Sequence, residues 1–150
     1  MTSKILCFLL LALDVFASGS CVNDQSGFST DFNRVKNSVW RLFSFDTIGV
    51  STVTVIPADT ILLWFEEPNK LQGRGRGRCF NEYDGYYTLG PDRVIRFDTL
   101  STTKIGCHSD SRYGDYWELL HDVSSFSVTD LQLCLYYNGS NSRMLFVRMP

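Results

Sequence analysis

Hydrophobic and polar positions alternate with a period of two over much of this chain, and that period predicts strands. Val39 to Phe45 carries Trp40, Leu42 and Phe43 and reads as the first strand. Ile48 to Ile56 is β-branched, with Val53 and Val55 alternating against Thr52 and Thr54, which predicts a half-buried strand. Pro57-Ala58-Asp59 breaks the pattern. Ile61 to Phe65 is an apolar run of strand length, closed by the turn residues Glu66-Glu67-Pro68-Asn69. Val94 to Phe97 and Phe126 to Val128 predict further short strands. Leu131 to Tyr137 alternates, with Leu131, Leu133 and Leu135 on one face and Gln132, Cys134 and Tyr136 on the other. Asn138-Gly139 predicts a hairpin turn, and Met144 to Arg148 is the returning strand. One segment has helical spacing instead: Tyr116, Leu119, Leu120 and Val123 predict a helix over about residues 113–123, with Ser111 or Asp110 as its cap. The sum is a mainly β chain, a small antiparallel β-barrel-like domain with one α-helix.

The first residues follow another pattern. Lys4 precedes the apolar run Ile5 to Leu13, Asp14 interrupts it, and Val15-Phe16-Ala17 places small residues at the −3 and −1 positions of a cleavage site. That is the layout of a secretory signal peptide over residues 1–17, and the run is too short to span a bilayer. No later stretch is long or apolar enough to span. Residues 18–38 are polar and mixed and read as an N-terminal tail, leaving 39–150 as the folded domain. Ser18-Gly19-Ser20-Cys21 loosely resembles a lipoprotein cleavage box, so a lipid anchor through Cys21 is the alternative to release from the cell.

Secretion changes how the cysteines are read. Cleavage removes Cys7 and leaves Cys21, Cys79, Cys107 and Cys134, an even set that predicts two disulfides with three pairings open. Their wide spacing disfavours a zinc cluster. Asn138-Gly139-Ser140 is a glycosylation sequon in the same compartment. The 44% hydrophobic content supports a real core. The balance of 14 Lys+Arg against 16 Asp+Glu predicts no nucleic-acid partner.

Gly73-Arg74-Gly75-Arg76-Gly77-Arg78-Cys79 also has a period of two. On a strand it puts Arg74, Arg76 and Arg78 on one face and the glycines with Cys79 on the other. The arginines are then a candidate anion stripe or a solvated face, and the glycines allow something bulky to approach the backbone from inside. Catalysis lacks its parts: His108 and His121 are the only histidines, and no nucleophile, base and orienting group can be assembled from the sequence. No carboxylate spacing matches a calcium loop. No metal, cofactor or enzymatic activity is expected. The many tyrosines are read as core and cross-strand packing before a ligand pocket.

Several short motifs together are similar to one family. Trp40-Arg41-Leu42 resembles an opening Trp-x-Leu. Gly77-Arg78-Cys79-Phe80-Asn81, followed by Gly85-Tyr86-Tyr87, resembles a Gly-Cys-Asn…Gly-x-Tyr signature. Thr103-Lys104-Ile105-Gly106-Cys107 resembles a Thr-Lys/Arg-Met-Ala-Cys segment. Leu120, Val123, Phe126 and Val128, then Leu131, Leu133, Leu145 and Phe146, fit the later elements. In this order they resemble the META domain (HslJ-like) family, from about Val39 to Arg148. The resemblance implies a small antiparallel barrel-like fold with a helix, no established enzymatic activity, and a disulfide between Cys79 and Cys107. With that bond in place, Cys21 is left for Cys134.

The functional expectation is a secreted, non-enzymatic, monomeric module that binds a protein or surface partner. Two alternatives are a carrier of a small apolar ligand and a secreted enzyme inhibitor. Trp40 is similar to the lipocalin opening, without the Gly before it. The inhibitor would act through loop 66–69 or 138–142.

Overall fold

The computed structural model describes residues 31–150. Nine strands run in the order β1 (Val39–Thr47), β2 (Ser51–Thr54), β3 (Asp59–Glu66), β4 (Lys70–Gly77), β5 (Glu82–Leu89), β6 (Ile95–Thr102), β7 (Ser125–Val128), β8 (Gln132–Tyr137) and β9 (Ser142–Arg148). A short helix, α1, occupies residues 31–35, and α2 (Tyr113–Leu120) lies between β6 and β7.

All strand pairs are antiparallel, and eight strands follow one path: β6-β5-β4-β3-β1-β9-β8-β7. The path curls until its two ends meet at a single bridge, Val94 with Ser125. The result is a curled half-barrel, as the alternating pattern predicts. β2 stands off the path and pairs only with β1.

Alternation decides what fills the interior. Trp40 and Leu42 of β1, Ile61, Leu63 and Phe65 of β3, Leu133 and Leu135 of β8, and Met144 and Phe146 of β9 all point inward and are buried. Each helix adds aromatics. Phe32 of α1 meets Phe65, Tyr87 and Phe126 with ring centroids 5.1–5.7 Å apart. Tyr113 and Tyr116 of α2 meet Tyr83, and Tyr116 also meets Phe146. Burying a large aromatic contributes about 1.5–3 kcal/mol, so both helices belong to the core.

Five expectations need correction. Residues 31–38 are not a loose tail, because Phe32 and Val35 are buried in the core. Asn37, at φ 57°, then turns the chain into β1. The segment 48–56 is not a half-buried strand: only Ser51–Thr54 is strand, and all four residues are exposed. A strand is added at Glu82–Leu89. Leu131 lies outside β8 and is 73% exposed, so it does not share the inward face of Leu133 and Leu135. The helix is also three residues shorter than expected, ending at Leu120. Ser111 does accept a bond from the Tyr113 amide at 3.2 Å, while Asp110 caps nothing and binds Arg78 and His108 instead.

Candidate functional site

Most of the motif residues converge on one structural clamp. Gly77 has φ 87°, which only glycine adopts freely, and its α-hydrogen side faces the Ala58 carbonyl where a Cβ would come within 2.0 Å. The chain leaves β4 there and brings Cys79 to Cys107, with which it forms a disulfide. Asn81 fastens the junction. Its Oδ1 accepts from the Ile105 amide at 2.7 Å and from Thr103 Oγ1 at 3.1 Å, and its Nδ2 donates to the Ile105 carbonyl at 3.1 Å. The same Nδ2 lies 3.3 and 3.4 Å from the two sulfurs. A bond closing a loop of 28 residues contributes about 3–4 kcal/mol through the unfolded chain.

The remaining motif positions are also structural. Trp40 donates from Nε1 to the Val35 carbonyl at 3.0 Å, tying β1 to α1. Tyr87 is buried and donates to the Pro68 carbonyl. Gly85 lies against Leu100, where a Cβ would be 2.7 Å from the side chain. Lys104 is exposed.

The inward glycines of β4 do admit a bulky neighbour. The Tyr83 ring crosses Gly73, reaching over β4 so that its hydroxyl donates to the Leu62 carbonyl on β3 at 2.8 Å. A hydrogen bond to the Tyr116 hydroxyl completes the pair. Burial raises the Tyr83 pKa well above its ordinary value, and the neighbouring Tyr116 adds to the rise. The interior that a small apolar ligand would need is occupied by these rings and by Trp40, Phe126 and Phe146.

The outer face has a different character. Three rows of side chains cross it in register: Arg41-Leu62-Arg74-Glu82, Trp64-Gln72-Asp84-Ser101, and Glu66-Lys70-Tyr86. Leu62 is buried between two arginines roughly 10 Å apart at their Cα atoms. The Nε atoms of Arg41 and Arg74 are shut off from solvent with no acceptor. The Arg74 guanidinium lies over the Trp64 ring, 5.8 Å from its centroid. Trp64 is itself fixed, since its Nε1 donates to Gln72 at 3.2 Å and Glu66 at 3.3 Å. An open groove of about 670 Å³ runs over this face, walled by Trp64, Lys70, Gln72, Arg74, Glu82 and Asp84.

The anion stripe is therefore only partly as expected. Arg74 and Arg76 share the outer face of β4, whereas Arg78 lies beyond the Gly77 turn and is ion-paired with Asp110. Arg41, Lys70, Trp64, Gln72 and Asp84 join the face through strand register, which no single segment reveals. The outward parity of Trp64 against Leu63 and Phe65 is the one signal the sequence offers for them.

His108 is exposed and bonded to Asp110, and His121 bonds the Trp117 carbonyl through Nδ1, so the two histidines serve separate loops. Among the described residues no three His, Cys, Asp or Glu side chains are grouped to hold a metal ion. No helix among them is long and apolar enough to cross a membrane. Asn138 is exposed at the tip of the β8–β9 hairpin, in a four-residue turn rather than a two-residue one. Cys134 faces outward from β8, is buried, and has no disulfide partner among the described residues. Cys21, the lipoprotein-like box and the signal segment lie outside the described residues.

These features define a class: a small antiparallel half-barrel, plugged by helices and locked by a disulfide with an asparagine at its junction. Over residues 33–150 the chain matches the family model of the META domain, and it belongs to that family. Among solved structures it is similar to a DUF4847 family protein from Bacteroides vulgatus. The identity is 14%, covering 75% of this chain and 93% of that one, with a TM-score of 0.54. That likeness is one of fold. No curated protein matches the chain.

Proposed function

We propose that this META domain is a secreted, non-enzymatic binding module that engages an anionic surface partner through the outer face of β1, β3, β4 and β5. One observation carries the reading. Arg34, Lys36, Arg78, Arg93, Arg112 and Arg143 each have an acidic partner. Seven others have none among the described residues: Arg96 on β6, Lys104 after it and Arg148 at the end of β9 are scattered, whereas Arg41, Lys70, Arg74 and Arg76 lie together on this one face. Cations clustered without a carboxylate on a chain of net charge −2 create a local positive potential that attracts an anionic partner. The motif residues, by contrast, are spent on the clamp and core, so the fold leaves chemistry to this face. In the same reading the N-terminal segment is removed as a signal, and Cys21 is joined to Cys134, holding the mature N-terminus against β8.

A sulfonate-bearing resin tests the face without presuming a ligand. The wild-type protein is expected to be retained at low salt at pH 7 despite its net negative charge. The double variant Arg41→Gln/Arg74→Gln should elute at clearly lower salt. Arg78→Gln should elute with wild type, because Asp110 already occupies that guanidinium. Equal elution of all three would sink the proposal.

A further inference from the structure

We propose that the ligand of the outer groove is an acidic polysaccharide, a sugar chain carrying carboxylates or sulfates beside free hydroxyls. This rests on the reading above that the face is the binding surface, and it names the ligand. The groove does not carry cations alone. Arg74 sits directly opposite Glu82, and Gln72 directly opposite Asp84, across β4 and β5. Neighbouring strands are about 5 Å apart, so strong donors and strong acceptors alternate within the length of one sugar ring.

That mixture selects among anions. A phosphate chain or a nucleic-acid backbone offers acceptors almost exclusively, and Asp84 and Glu82 would repel it. An acidic sugar offers both kinds of group. Its anion meets Arg74, whose planar fork matches a carboxylate or sulfate, and Lys70. Its hydroxyls donate to the carboxylates. One oxygen of Asp84 already accepts from Ser101 Oγ at 2.9 Å, and the other has no protein donor among the described residues. The Gln72 amide can donate while its Oε1 holds Trp64. Trp64 supplies a wall, its single Nε1–H shared between Glu66 and Gln72.

Isothermal titration of the full mature chain tests this, with three probes: a galacturonic acid hexamer, the matching neutral galactose hexamer, and tripolyphosphate. The uronate is expected to bind and the neutral hexamer to fail. Arg74→Gln should weaken the uronate on the order of tenfold, the scale of one charge-assisted contact. Asp84→Asn, at an exposed position, should weaken the uronate as well but strengthen tripolyphosphate, since it removes repulsion. Arg74→Lys replaces Arg74→Gln if the latter melts early. Uronate binding that strengthens in Asp84→Asn would make the groove a bare anion site and overturn the proposal while leaving the anion-binding face intact. Tripolyphosphate binding without uronate binding would do the same. If neither anion binds, this proposal and the face itself both fall.

Discussion

Gly73 carries an unusual load for a residue without a side chain. A Cβ built there would lie 2.0 Å from the Tyr83 ring and 2.3 Å from the Leu62 carbonyl. One of those neighbours is backbone and the other is a ring pinned at its hydroxyl by Leu62 and Tyr116, so neither can retreat cheaply. Overpacking of this kind costs about 1–3 kcal/mol and occasionally more. Gly73→Ala should therefore lower the unfolding free energy by an amount in the upper part of that range, seen as a lower urea midpoint by far-ultraviolet dichroism. Gly106→Ala has open space around it and should leave the midpoint near wild type. Equal midpoints for both variants would mean that the crossing of Tyr83 over β4 is not the arrangement in solution. The crossing matters for the surface too, since Gly73 and Tyr83 form part of the floor beneath the groove.

Elements differ in how openly the sequence declares them. β1, β3 and β9 are legible as strand-length runs rich in large apolar residues on both faces, and β8 is legible because Leu133 and Leu135 face inward while Gln132 and Tyr136 face outward. β5 has the same parity, but its inward residues are Tyr83, Gly85 and Tyr87, and a glycine among tyrosines carries little hydrophobic signal. β2 errs in the other direction: β-branched composition predicts burial, yet the strand hangs from one side of β1 with nothing packed over it. The candidate site is legible only in part. Arg74 and Arg76 stand out by period two, but their meeting with Arg41 and Asp84 is set by strand register, and Gly77 turns Arg78 away. α1 is the plainest omission, because Phe32 and Val35 are two apolar residues in a polar stretch. Phe32 nonetheless touches three rings from three strands. Phe32→Ala should destabilise the fold by about 3–5 kcal/mol, measured by urea unfolding. A chain begun at Val39 should lose at least as much. Wild-type stability in either would show that α1 rests on a finished domain instead of completing it.

At the scale of the whole molecule, the half-barrel is closed over tyrosines, and that ties its stability to alkali. Burial pushes the Tyr87 hydroxyl up to about 12, with Glu67 adding to the rise. Burial also raises Tyr116, Tyr113 and Tyr137, and raises Tyr83 well above the ordinary value. A tyrosine whose folded pKa exceeds its unfolded one keeps its proton in the native state where the unfolded chain has lost it. The native state then binds more protons, and stability falls as pH rises. The contribution is complete below about pH 10, the pKa of a free tyrosine, and for Tyr87 it is lost progressively between there and about 12. The melting temperature should accordingly hold near pH 8–9 and drop steeply above 10. The tyrosinate absorbance of the buried rings should appear together with unfolding rather than before it. Tyr87→Phe removes one proton from this linkage and should make the decline shallower, even if its loss of the bond to the Pro68 carbonyl lowers stability at neutral pH. A melting temperature that stays flat from pH 9 to 12 would count against a core sealed by neutral tyrosines. So would an unchanged slope in Tyr87→Phe, since that variant removes a hydroxyl whose pKa is pushed up to about 12.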